Sequence, residues 1–311
     1  MSPTGSTAST GRLAVGLALF SLYLVWGSTY LAMRVAMDGF PPFTMAALRF
    51  LVAGLVMLAL ARARGEAFPT GRQWLNALAI GTLLLAGGNG GVAIAEQTVS
   101  SGLAALMVSA MPLWMALFGG LWGRWPAPKD WVALVLGFGG IVLLNVGSEL
   151  RGSPGGVAAL MFATASWAFG SLWSRRLDLP EGMMAAGAEM AAAAPVLLLL
   201  SALHGERLPP VIPARAIWAL AYLIVFGSLV AYTAYLYLLA RVPATVASSY
   251  AYVNPLVALV LGAALAGERL PPALLVALPL ILTAVALVLR PAPARSVVPV
   301  ARLRTPRPNR G

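Results

Sequence analysis

The sequence has no cysteine, which excludes a disulfide framework and any thiolate-held metal. Its single histidine, His204, excludes the paired-histidine zinc motifs. Lys129 is the one lysine, and charged residues make up only 10% of the 311 positions. A soluble surface draws on about a quarter. No glycine-rich loop closing on a lysine is present, so ATP is not the expected energy source. Neither G-x-S-x-G nor H-E-x-x-H occurs, and Asp38, Asp130 and Asp178 all fall in loops. No catalytic residue, metal site or cofactor is expected, and the chain does not read as an enzyme.

Apolar sequence fills the space that charge leaves empty. Hydrophobic residues make up 60% of the chain, and mean hydropathy is +0.85. Apolar runs of about 20 residues, enough to cross a hydrocarbon core about 30 Å thick, recur throughout. The expected fold is an all-α membrane protein with ten transmembrane helices. They are placed at 13–37, 43–61, 74–95, 100–122, 130–147, 155–174, 183–203, 215–239, 243–266 and 271–289. Residues 1–12 read as a disordered lead and 291–311 as a disordered basic tail.

The net charge of +11 would suggest a nucleic-acid partner in a soluble protein. Here the arginines lie between apolar runs, so the expected partners are the lipid bilayer and a small-molecule substrate, not nucleic acid, with a monomer as the expected state. Fifteen Lys and Arg fall on the side of the termini and four on the other (Arg151, Arg207, Arg215, Arg269). The positive-inside rule then places both termini in the cytoplasm.

The chain echoes itself. Val99, Ala104, Pro112, Leu113 and Gly119 recur 143 positions later as Val242, Ala247, Pro255, Leu256 and Gly262. Trp26, Leu31 and Arg34 recur at an offset of 141 as Trp167, Leu172 and Arg175. Two units follow, 13–148 and 154–290. With five spans per unit, the second enters the membrane from the opposite face, giving inverted repeats around a central cavity.

Candidate functional residues sit at matched depths. Pro112 and Pro255 lie near mid-span and free the carbonyls of Val108 and Ala251. A single membrane proline is ordinarily a packing kink, but two in matched repeats favour a hinge. Ser101-Ala105-Ser109 and Ala244-Ser248-Tyr252 give small or polar stripes at i, i+4 spacing, which close helix packing also explains. Trp26 and Trp167 lie far from the interfacial belt, with Ser28 and Ser171 nearby. Each indole offers a flat apolar wall and one N–H donor. Asn89 corresponds to Tyr232 and is set among the glycines at 87–91, a cluster that allows close backbone approach or a local break. These residues, with Ser109, Ser248 and Tyr252, are the expected lining. Glu189, with no basic residue within a turn, is the candidate for proton coupling, and an interfacial position or protonated packing among the alanines is the alternative. Arg34, Arg49 and Glu96 are candidate gate or structural charges; binding an anionic group or structural pairing are the two readings for Arg34 and Arg49, with snorkelling to the interface preferred for Arg34.

Trp26-Gly27-Ser28-Thr29, Arg34, Pro41-Pro42 and Arg49, followed by Ala244–Ser249, Pro255 and Gly267-Glu268-Arg269-Leu270, resemble the EamA-type branch of the drug/metabolite transporter superfamily. In the first unit Gly123-Arg124-Trp125 replaces the glycine-glutamate element. The resemblance implies an inner-membrane exporter of amino acids, other metabolites or drugs, with a cavity lined by spans one, three, four, six, eight and nine. An aromatic-rich, charge-poor cavity suits a small zwitterionic or apolar solute better than a phosphate. An importer or exchanger of another solute class, and a scaffold or lipid-handling protein without an aqueous cavity, are the alternatives.

Overall fold

The computed structural model of the chain describes residues 6–99, 104, 107–123, 125–144, 153–266 and 272–289. Ser101, Ala105, Arg124, Gly267-Glu268-Arg269-Leu270 and the 291–311 tail lie outside them. In chain order the principal helices are α1 (Leu13–Ala36), α2 (Pro42–Ala63) and α3 (Gly71–Ala95), then α4 (Met111–Leu121) and α5 (Pro128–Leu144). The second half supplies α6 (Pro154–Ser174), α7 (Gly182–Leu203) and α8 (Ala214–Arg241), then α9 (Tyr250–Ala266) and α10 (Leu274–Leu289). Among the described residues six of these, α1 to α3 and α6 to α8, are long and apolar enough to cross a membrane.

Local chemistry sets the helix ends. Thr70 and Gln73 form a reciprocal capping box at the start of α3. Ser153 caps α6, with its Oγ accepting from Gly156 N at 3.0 Å and Pro154 in the first turn. The free N–H groups of Phe43 and Thr44 at the start of α2 donate to the Glu206 carboxylate at 3.0 and 2.8 Å. An acidic group there also meets the positive end of the helix dipole. The helix leading into α1 starts at Ser6. Once a helix is nucleated, each added residue gains a backbone bond without a second nucleation cost.

Loop contacts gather at two ends of the bundle. At one end Arg64 reaches Met183, Gln73 meets Asp178, Arg176 stacks on Trp122 and Arg175 donates to Val242 O. At the other, Arg215 pairs with Asp38 at 3.1 Å, Glu206 holds Thr44, and Ser153 meets Thr98. Between these ends the outward faces carry Leu, Val and Phe, including Phe20, Leu55, Phe162, Leu199, Val225 and Leu275. Apolar side chains are stable on such a surface only against lipid.

The helices pair in a self-consistent scheme. α2 packs on α7, α5 on α10, α6 on α3 and α4, and α1 on α8 and α9. Exchanging each first-half helix with its second-half counterpart returns the same set of pairs. Glycine permits the close contacts. A Cβ on Gly54 of α2 would lie 2.6 Å from Ala191 N of α7, and one on Gly140 of α5 would lie 2.8 Å from Ile281 of α10.

Three helices widen locally into π-helical geometry, at Leu22–Trp26 of α1, Thr82–Gly90 of α3 and Leu223–Val230 of α8. The last two correspond at the repeat offset. Such bulges leave backbone groups less regularly paired and are frequent at functional sites. The proline helices break differently from expectation. Near Pro112 the interruption is at Ala110, just before α4. In the second half it falls at Ser248-Ser249, between a helical turn over 244–247 and α9, while Pro255 sits inside a continuous helix.

Candidate functional site

α1, α2, α3, α6, α8 and α9 converge on a cavity beside the π-helical stretches. The first half contributes Trp26, Thr29 and Tyr30 from α1, Arg49 and Phe50 from α2, and Gly88 and Asn89 from α3. Val108 and Met111, at the break before and the start of α4, complete its share. The second half contributes Thr164 and Trp167 from α6, Gly227 and Tyr232 from α8, and Tyr250 and Asn254 from α9. The cavity measures about 70 Å³, on a scale where roughly 10–15 Å³ admits one water. It has room for several waters or a small organic molecule.

The two expected tryptophans meet here. Their rings lie edge to face with centroids 5.5 Å apart, a favourable arrangement for aromatic quadrupoles. Trp26 Nε1 donates to Gly227 O at 3.1 Å, and Trp167 Nε1 donates to the Tyr235 hydroxyl at 3.1 Å. Ser171 Oγ lies 2.6 Å from that same hydroxyl and donates to Trp167 O. The α3 glycines explain how α6 comes so close. A Cβ on Gly88 would lie 2.6 Å from Trp167 Cε3, and one on Gly87 would lie 2.6 Å from Ser166 Oγ.

Tyr235 and Tyr250 complete an aromatic layer with the tryptophans. Tyr250 lies 4.7 Å from Trp26, edge to face, and its hydroxyl donates to Met111 Sδ at 3.3 Å. A second recess, of about 550 Å³, opens at the arginine-rich end among Met115, Trp122, Leu172, Arg175 and Thr245. Met111 to Met115, Trp167 to Leu172 and Tyr250 to Thr245 are each a step of little more than one helical turn. The cavity and the recess thus share three segments of chain and lie about one helical turn apart along each.

Behind the cavity wall, the Tyr232 hydroxyl donates to Glu189 Oε2 at 2.5 Å. Glu189 is 1% exposed. Tyr232 places one ring face in the cavity layer and one hydroxyl on the carboxylate.

Arg49 departs from expectation. It is 3% exposed and lines the cavity, so the cavity is not charge-poor. Its Nε donates to Ser228 Oγ at 2.7 Å, and its guanidinium lies 4.9 Å from the Phe50 ring centre. Gly227 leaves room for it, since a Cβ there would sit 2.7 Å from Nη2. Three buried polar atoms of lining residues have no partner among the described residues: Arg49 Nη1, Asn89 Oδ1 and Asn254 Oδ1.

Other expected residues lie elsewhere. Ser28 bonds Val25 O and the Tyr222 hydroxyl. Ser248 turns back to Thr245 O. Ser109 is fully buried beside the lining residue Val108 but outside the lining itself. Tyr252 packs against Gly137 of α5, on the α5–α10 side of the bundle. Arg34 is exposed. Glu96 follows α3, where burial pushes its carboxyl up to about 8 despite the opposing charge of Arg34. Tyr250 and Asn254 line the cavity where Ser248 and Tyr252 were expected, and Tyr235 backs the two tryptophans. Tyrosines at 250 and 252 differ by about 200° around one helix, so only one can face the cavity.

The EamA-like transporter family model matches this chain twice, over residues 13–146 and 154–290. The inner membrane transporter YedA of Escherichia coli strain K12 is 45% identical over 272 residues, covering 87% of this chain and 89% of that protein. Protein PecM of Dickeya dadantii is 30% identical over 273 residues, covering 85% and 88%. One solved crystal structure superposes with a TM-score of 0.73 at 23% identity, covering 88% of this chain and 95% of the other. This multi-pass membrane protein belongs to the EamA-like transporter family, within the drug/metabolite transporter superfamily.

Proposed function

We propose that this chain exports amino acids or related small metabolites across the bacterial inner membrane, by alternating access between two inverted five-helix halves. One observation carries the reading. A cavity built by both halves lies about one helical turn from a recess at the arginine-rich end, and residues of both halves form an aromatic layer at its wall. A carrier needs one barrier to open while the other closes, and a layer shared between halves responds to their relative rocking. The self-mapping helix pairs and the doubled family match support the inverted relation. The clustering of Arg62, Arg64, Arg72, Arg175, Arg176 and Arg241 at one end supports a cytoplasmic location for that end and both termini.

Glu189 is the candidate proton carrier. A fully buried carboxylate is costly in a bilayer, and Tyr232 joins it to the cavity through one hydrogen bond. A proton arriving at Glu189 would alter that bond and so the position of a lining ring.

Purified protein in liposomes, offered labelled amino acids under imposed pH gradients, tests the proposal. Saturable movement of a solute from the compartment facing the arginine-rich end is expected. Movement only in the opposite direction would make the chain an importer, and a silent panel would remove the amino-acid assignment.

A further inference from the structure

Arg49 is a buried cation whose only hydrogen-bond partner among the described residues is a neutral hydroxyl. Its Nε is used by Ser228, its Nη2 edge is packed over Gly227, and Nη1 has no partner although it is buried in the cavity wall. Among the described residues no carboxylate pairs with it. Removing a guanidinium from water without a counter-charge is strongly unfavourable. Proteins retain such groups in membranes chiefly where a ligand or pathway uses them. The same cavity carries two unpartnered acceptors, Asn89 Oδ1 and Asn254 Oδ1, one from each half. The remaining wall is largely apolar and aromatic.

We infer that Arg49 is the specificity-determining residue of the cavity: its Nη1 binds the carboxylate of the transported solute. Asn89 and Asn254 accept hydrogen bonds from a donor on the same molecule, an ammonium in an α-amino acid. This rests on the reading of the cavity as the transport site and adds a requirement to it. The solute must carry an anionic oxygen group, and its decarboxylated amine is rejected. The amine would leave Arg49 buried and unpaired while placing a second positive charge beside it. Ser228 and Gly227 are positioning residues, holding the guanidinium edge-on so that one nitrogen faces the cavity.

The test measures binding apart from flux. Purified full-length protein is melted with matched sets: leucine, 3-methylbutylamine and 4-methylpentanoate, then phenylalanine, 2-phenylethylamine and 3-phenylpropanoate. Stabilisation by the two carboxylate-bearing members of a set, but not by the amine, is expected. Arg49→Gln should weaken carboxylate binding by about 10- to 100-fold, the range for loss of one charge-assisted hydrogen bond. Arg49→Lys should retain part of it. Without ligand, Arg49→Gln should melt at or above the parent temperature, because a buried uncompensated charge has gone; a purely structural arginine would give a lower melting point. Stabilisation by the amines, equal binding by Arg49→Gln, or no stabilisation by any carboxylate overturns the inference. Carboxylate binding without flux in liposomes would refute the exporter reading alone. Flux of amines would refute the role of Arg49 alone.

Discussion

Trp26 and Trp167, 141 positions apart in the chain, meet edge to face with ring centroids 5.5 Å apart. Each is tied to a backbone or hydroxyl partner on α8, at Gly227 O for Trp26 and the Tyr235 hydroxyl for Trp167. The repeat that placed two tryptophans at corresponding depths thus also brings them into direct contact. Both line the cavity, one from each half.

Trp26→Phe keeps a ring in the layer but leaves the buried Gly227 carbonyl without its donor. We expect a loss of about 1–3 kcal/mol, the cost of an unsatisfied buried group, seen as a lower melting temperature. Trp26→Ala removes the ring as well, and a loss of about 3–5 kcal/mol is expected from cavity creation. Equal melting of the phenylalanine variant and the parent would show the indole hydrogen bond to be dispensable.

Glu189→Gln keeps the size of the side chain and an acceptor for Tyr232 but cannot release a proton. Flux should persist down a solute gradient and lose its response to an imposed pH gradient. Tyr232→Phe, which leaves Glu189 without its donor, should weaken that response and lower stability by about 1–3 kcal/mol. Paired liposome assays, with and without the pH step, read the difference. A full pH response in Glu189→Gln would remove the residue from the coupling step.

Gly88→Ala places a methyl group 2.6 Å from Trp167 Cε3. Overpacking of this kind costs about 1–3 kcal/mol, so the melting temperature should fall and flux with it. Gly139→Ala on α5, where nothing lies within 4 Å of the added carbon, is the control and should be neutral. Equal effects at the two positions would show that α3 and α6 do not meet as closely as described.

The absence of cysteine makes the topology directly testable. Single cysteines introduced at Ala67 and Glu181 should react with an impermeant maleimide from one face of the membrane. Those at Gln97 and Arg207 should react from the other. In intact cells only the second pair should label. Reaction of all four from outside would end the two-sided arrangement, and labelling of the first pair alone would invert the chain.

Composition and apolar run length determined that this chain lives in a bilayer. The internal echoes determined that it is one unit repeated, because tryptophan, proline and glycine at matched offsets survive as separate marks in an apolar background. The glycine cluster at 87–91 was legible as either a break or a close approach. The fold shows both, a π-helical stretch in α3 and contact with Trp167.

The direction each side chain faces was decided only in three dimensions. In a soluble helix polar residues mark the outer face, but in a membrane both lipid and protein neighbours are apolar, and that periodic signal fades. Hence Tyr252 was expected in the lining on its depth alone, and the packing places Tyr250 there instead. Arg49 read only as a charge inside or at the edge of an apolar run, a gate or structural candidate with no partner in view. Its burial depends on Gly227 and Ser228, 178 and 179 positions away, and only the packing of α2 against α8 brings them to it.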